Sequence, residues 1–419
     1  MNSSSRYNLV NIFAVLSIFG FWGMHSVLYA LGSGANTAAS VAYRAFQLGY
    51  AFVVIIACLG ELSKALKRGF FLLLAIILLF YSGRMLIDMY MGPFTAQLPH
   101  NVFVNDFLFI VGSVFSGAFA LIAGYKYLNI NFIAKLTFLV GVTATILLFY
   151  SLFLKGNLLT FEDDRLDLGG GLGSLALVKL GAVTFLAGMH LFINKLFNKV
   201  LLILSMILTL FLSMASGARG GLVSLVIVLI IYTFIRNRTS LLLSLVTIIL
   251  FILFVVNIVP ILTWLSDFFP VIGERLLLTV VEGDEGNREL LRQKVYGLLL
   301  ENPLTGFSYR MSTDITGYTT HNGILDVCLA LGVPMGIVFL VTYYINLGFK
   351  ALKKMSDKTS FFATAMFVYV LVASFTGSSV TDNIFDFSTC LFISSYYSAC
   401  SRKHKVYAGN MERATPQIV

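Results

Sequence analysis

Residues 70–91 read FFLLLAIILLFYSGRMLIDMYM, an apolar run broken only by Arg84 and Asp88 one helical turn apart. A helix needs about 20 such residues to cross the hydrocarbon core of a bilayer. Working outward, comparable runs cover 9–31, 44–60, 102–124, 132–154, 173–193, 197–216, 219–235, 240–262, 323–348, 360–379 and 384–400, which makes about twelve in all. The 419-residue chain is 58% hydrophobic and only 12% charged, with a mean hydropathy of +0.88. Soluble domains carry about 25% charged residues. The expected fold class is therefore all-α: a polytopic integral membrane protein, one membrane domain over 1–419. The first run follows a single charge, Arg6, and is too long for a signal-peptide core, so it is expected as an uncleaved span.

The formal net charge of +9 invites a nucleic-acid reading, but its distribution argues against one. Eighteen of the 29 basic residues fall in alternate short gaps between the runs: Arg6, then Lys64–Arg68, Lys126 and Lys135, Lys195 and Lys199, Arg236 and Arg238, Lys350–Lys358, and Arg402–Arg413. That is the positive-inside pattern. It predicts cytoplasmic termini, a polar and flexible cytoplasmic tail over 401–419, and a large external loop over 263–322. Cys58, Cys328, Cys390 and Cys400 lie in or beside apolar runs without CxxC spacing, so they are read as packing residues rather than disulfides or metal ligands. Gly169-Gly170-Gly171 follows no strand and is read as a flexible outer turn, not a nucleotide loop.

The basic residues left on the depleted side are the informative ones. Arginine presents a rigid fork of donors suited to phosphate or carboxylate. Arg219 stands in the small-residue segment Ser216-Gly217-Ala218-Arg219-Gly220-Gly221, which joins two spans with almost no loop. Backbones approach closely there, and an arginine at a helix start beside free N–H groups suits an anion, although headgroup snorkelling is the plainer reading. Within the external loop, Arg288 and Arg292 are four apart on a stretch whose Leu291, Val295, Leu298 and Leu299 form one face, ended by Pro303. This predicts an amphipathic helix lying over the membrane surface, for which a solvated charged face is the alternative. Next comes Thr319-Thr320-His321-Asn322-Gly323. A threonine cap would put His321 in the first turn of the following span, where the positive helix end favours the neutral, proton-accepting imidazole. Arg84 stays open between an ion pair with Asp88 and a substrate contact; Arg310 completes the loop's basic set.

In order, these segments show an arginine among small residues, an arginine before an apolar helix ending in Asn302-Pro303-Leu304-Thr305-Gly306, and His321-Asn322 followed by Leu325 and by Leu331-Gly332-Val333-Pro334-Met335-Gly336. Over residues 213–340 this resembles the O-antigen ligase and O-antigen polymerase superfamily. The resemblance implies a helical membrane glycosyltransferase of the GT-C-like kind in the bacterial inner membrane, without metal or cofactor. It implies His321 as catalytic base, Arg219 and Arg288 as diphosphate-binding catalytic residues, and a loop arginine, Arg165, beside them. Arg292, Asn322, Arg84 and Arg310 are further candidates for substrate contact. The implied donor is a glycan on undecaprenyl diphosphate and the acceptor a lipid-linked repeat unit or lipid A core. Membrane lipid is an implied partner and a chain-length regulator a further one; nucleic acid is not. Polymerisation is slightly preferred to ligation, and the two stay open.

The chemistry is coherent from the residues as well. Arginines can neutralise a lipid diphosphate leaving group without a general acid, and a sugar hydroxyl needs only a base. The competing class, a lipid-linked glycan flippase, would place charges within spans near the midplane. Here Arg84 and Lys179 are the deep basic candidates, and the remaining charge gathers on the outer loop. Glu162-Asp163-Asp164 could bind sugar hydroxyls, but solvated loop acids are the simpler reading.

Overall fold

The computed structural model describes residues 2–32, 37–93, 100–154, 174–215, 219–237, 258–268, 277, 288–309, 322–375 and 384–398. Their regular structure is helical, joined by short turns, with no strand among them. Seven helices are long and apolar enough to span a membrane: Ser3–Ala30, Ala38–Ala57, Gly69–Met91, His100–Gly124, Ile130–Ser151, Leu175–Ile193 and Val333–Lys354.

Seven of the twelve expected runs thus contain helices of spanning length among the described residues. Three expected spans are shorter apolar helices, Lys199–Met214, Gly220–Arg236 and Phe361–Ala373. The last run is helical over 384–398. Most of 240–262 lies outside the described residues, and the helix Ile258–Phe268 carries its end into the expected loop. The run 323–348 is two helices, Gly323–Leu331 and the span beginning at Val333. Hydropathy does not register the break between them. Gly332 adopts φ +88, a left-handed conformation open to glycine, and Pro334 in the next first turn has no N–H to continue the ladder. The second span begins at Ala38, earlier than residue 44, and takes in Arg44, whose guanidinium lies 4.0 Å over the Phe109 ring.

Three spans widen locally into π-helix, at Leu16–Gly20, Ile110–Phe115 and Leu340–Leu347. Such bulges free carbonyls that hydrocarbon cannot solvate. Neighbouring side chains take them: Tyr43 Oη donates to Leu16 O at 2.5 Å, and Gln47 Nε2 to Ser113 O at 3.3 Å. Ser113 Oγ returns a bond to Gln47 Oε1 at 3.0 Å, tying the second and fourth spans.

Phe361–Ala373 is the central helix; every residue on it except Val372 is buried. Arg219–Asn237 and Ser174–Ile193 pack on it. The basic residues that the charge pattern assigns to one side meet at one end of the bundle. Lys126 and Lys64 both pair with Glu61, Arg68 lies 4.5 Å from the Tyr397 ring, Lys350 lies 4.2 Å over Phe70, and Asn194 Nδ2 donates to Lys358 O at 2.9 Å. Arg84, Thr305–Tyr309, Gly323 and Ser374 meet at the other end. Cys58, Cys328 and Cys390 are buried free thiols; Cys400 lies outside the described residues.

Candidate functional site

At that second end the central helix stops at Ser374, whose carbonyl accepts from Gly323 N at 2.8 Å. Tyr344 Oη and Ser374 Oγ lie 2.5 Å apart and hold the same corner. Gly323 opens the helix Gly323–Leu331, and its cap is Asn322 rather than a threonine. The Asn322 side-chain oxygen accepts from Ile324 N at 3.0 Å and Leu325 N at 3.2 Å. Asparagine is among the strongest N-caps because its short side chain reaches the unpaired N–H groups. The cap expected from the threonines is thus supplied by Asn322, and His321 itself lies outside the described residues. The first turn carries Asp326.

The same central helix receives the Arg219 segment. Helix Arg219–Asn237 begins at Arg219, and Gly221 is so close to it that a Cβ there would lie 3.2 Å from Tyr369 Oη and 2.6 Å from Val178 Cγ1. Tyr369 and Ser374 are five residues apart, about 7.5 Å of helix rise at 1.5 Å per residue. Gly221 and Gly323 thus both lie against the last turns of a single helix.

The Arg288–Glu301 helix forms as the spacing predicts. Its Val295 and Leu299 are buried against Leu325, Cys328 and Leu329 of the Gly323–Leu331 helix, with Leu298 packed alongside. Leu300 on its far side is 81% exposed, as a helix lying over an apolar surface requires. After Asn302 the chain runs to Tyr309 wedged between two helices. On one side Val333 N donates to Pro303 O at 2.8 Å and Phe307 N to Leu329 O at 2.7 Å. On the other stands the Gly69–Met91 helix. Arg84 Nε pairs with Asp88 Oδ1 at 2.8 Å, Nη1 donates to Thr305 O at 3.2 Å, and Nη2 donates to Phe307 O. Asp88, 1% exposed, accepts from Ser308 Oγ and Tyr309 N, each at 2.9 Å. Tyr309 Oη donates to Asp106 Oδ2 at 3.3 Å.

Of the sequence-predicted site residues, Arg165, Arg310 and His321 lie outside the described residues. For Arg219, Arg288 and Arg292 the helix backbone is described. Asn322 gives its amide oxygen to a helix cap, and Arg84 makes the ion pair with Asp88 together with two carbonyl contacts. Sequence reasoning missed Asp106, Tyr344, Tyr369 and Ser374. Nothing in their local spacing marks them, since each acts on a segment far away in the chain.

Residues 204–341 match the family model described as O-antigen ligase. Over that third of its length this multi-pass helical membrane protein is similar to the O-antigen ligase family. No curated protein matches it. The O-antigen ligase segment takes in the Arg219 helix start, the Arg288–Glu301 helix, the wedged connector and the Asn322 cap; Arg84 and Arg165 fall outside it.

Proposed function

We propose that this protein is a glycosyltransferase acting at the periplasmic face of a bacterial inner membrane, moving a glycan from undecaprenyl diphosphate to an acceptor sugar hydroxyl and so extending O-antigen or capsular repeat units. The observation that carries this reading is the convergence on one end of the central helix. Arg219 begins a helix packed beside Tyr369, and the segment after His321 is bonded to Ser374. Those two segments, 102 residues apart in number, belong to the one domain that matches the O-antigen ligase family.

In this reading His321 takes the proton of the acceptor hydroxyl as its oxygen bonds to the anomeric carbon. The bond from that carbon to the diphosphate oxygen breaks, and the lipid diphosphate leaves with the electron pair. Arg219 and Arg288 neutralise its growing charge, with Arg292, Arg165 and Arg310 available to the diphosphate and the sugar. Removing one preorganised charge-stabilising donor costs about 10²–10³ in rate, and loss of a positioned base about 10²–10⁴.

Transfer to lipid A core is the second reading, favoured by the description of the matching family as O-antigen ligase. The test is purified protein with lipid-linked repeat units and, separately, lipid A core as acceptor. Polymer ladders support polymerisation; a single capped core supports ligation. Arg219→Ala, Arg288→Ala and His321→Ala should each abolish product, and Arg288→Lys should be impaired because it keeps the charge but loses the fork. His321→Ala should still retain bound donor. Wild-type ladders from the alanine variants would overturn the assignment, and complete inhibition by EDTA would replace it with a metal-dependent mechanism.

A further inference from the structure

The Arg84–Asp88 pair is more elaborate than an ordinary helical ion pair. Two charges at i and i+4 already meet without help, and on a helix surface that contact contributes only about 0.2–0.5 kcal/mol. Here the pair is drawn into the protein, the Asp88 side chain 1% and that of Arg84 16% exposed. All the further hydrogen bonds described for the two side chains go to one stretch more than 200 residues away: Thr305 O, Phe307 O, Ser308 Oγ and Tyr309 N. That stretch leaves the Arg288–Glu301 helix and leads toward the Asn322 cap. Its opposite edge is bonded to Leu329 O and Val333 N. A buried charge is expensive unless paired and fully hydrogen-bonded, so each partner depends on the other and on the stretch between them.

We infer that Arg84 and Asp88 form a positioning clamp that holds the Asn302–Tyr309 connector against the Gly69–Met91 span, and thereby sets the Arg288–Glu301 helix relative to the helix start at Asn322. Neither is a catalytic residue. The clamp gives Arg84 a role distinct from direct contact with the lipid diphosphate, and its bearing on activity rests on the transferase reading above. Under that reading it fixes where Arg288 stands relative to His321. A misplacement of about 1 Å between reacting groups can cost about 10²-fold.

Two measurements on the full-length protein in lipid nanodiscs test it. The first is amide hydrogen exchange, which needs no substrate. Arg84→Gln and Asp88→Asn should each speed exchange across 302–309 at least tenfold and leave the 130–151 span unchanged. Arg84→Lys and Asp88→Glu provide milder variants in case the neutral ones fail to fold, and should give the same local change to a smaller extent. Unchanged exchange in the connector would overturn the clamp. The second is turnover of lipid-linked repeat units with binding of undecaprenyl diphosphate. Both neutral variants should lose about 10²-fold in turnover, and the double variant should lose no more than either one, as members of a single unit do. If Asp88→Asn turns over normally while Arg84→Gln fails to bind undecaprenyl diphosphate, Arg84 is a direct anion ligand and the clamp is overturned. A wild-type protein without turnover whose connector is still released by both variants would remove the transferase reading and sustain the structural clamp.

Discussion

Gly332 and Gly306 face one another across the wedge between connector and helix. Both have positive φ, +88 and +72. A Cβ on Gly332 would strike the Leu304 carbonyl, and one on Gly306 the Leu329 carbonyl, so each is excluded by backbone atoms that cannot swing aside. Holding a non-glycine residue in such a conformation costs about 1–3 kcal/mol. Gly332→Ala is therefore expected to lower the thermal midpoint and loosen the connector, whereas Gly297→Ala, with nothing within 4 Å of the added Cβ, should not destabilise. Asn322 makes a second residue-scale prediction. As a cap, it should tolerate Asp or Ser with little loss of stability, while Asn322→Ala costs about 1 kcal/mol. Unfolding in denaturant measures the difference; equal losses in all three variants would remove the capping role. The Gly332 break was not legible in hydropathy, because Leu331, Val333, Pro334 and Met335 keep the run apolar across it. The asparagine cap was legible as a residue type but lost to the threonines before it, since only geometry says which polar residue turns its oxygen on the helix.

Among elements, the short helix Leu59–Leu66 is tied to the turn after the fourth span by Glu61, which pairs with both Lys126 and Lys64. The hydrogen bond from Lys126, with that from Lys64 behind it, holds the Glu61 carboxyl below its ordinary value. A carboxyl depressed in the folded state stabilises the fold above its unfolded pKa, about 4.3, and that contribution is lost as the pH falls through the lower folded value. The link between these elements should thus persist at neutral pH and loosen below about pH 4. Glu61→Gln should abolish that pH dependence; exchange of amides 59–66 from pH 7 to 3.5 reads it. The Lys–Glu contacts were partly visible as charges on one predicted side. Their pairing was not, because Glu61 and Lys126 lie two spans apart. The Arg288–Glu301 helix is the opposite case: its apolar spacing and terminal proline announced it, and the neighbouring helix supplied only the surface that its Val295 and Leu299 cover.

For the molecule as a whole, the charge pattern predicts cytoplasmic termini and a periplasmic 263–322 loop. A cysteine replacing Asp284 should react with a membrane-impermeant maleimide added to spheroplasts, and one replacing Lys353 should react after lysis alone. Protection of residue 284 in spheroplasts with labelling only after lysis would reverse the orientation. The sequence by itself determined that the chain is helical and membrane-spanning, which gaps share a side, and the order of the arginine and histidine segments, because hydrocarbon length and charge placement act locally along the chain. It could not determine which face of a span turns inward. Lipid tails are as apolar as a protein core, so the pattern that marks a soluble helix is absent. In Gly69–Met91, Leu78, Tyr81, Met85 and Asp88 are buried while the equally apolar Leu79 and Phe80 are 60% exposed. Only the tertiary structure decided that choice, and with it the partner of Arg84: its donors are satisfied by carbonyls more than 200 residues away, a contact that exists only once the bundle is packed.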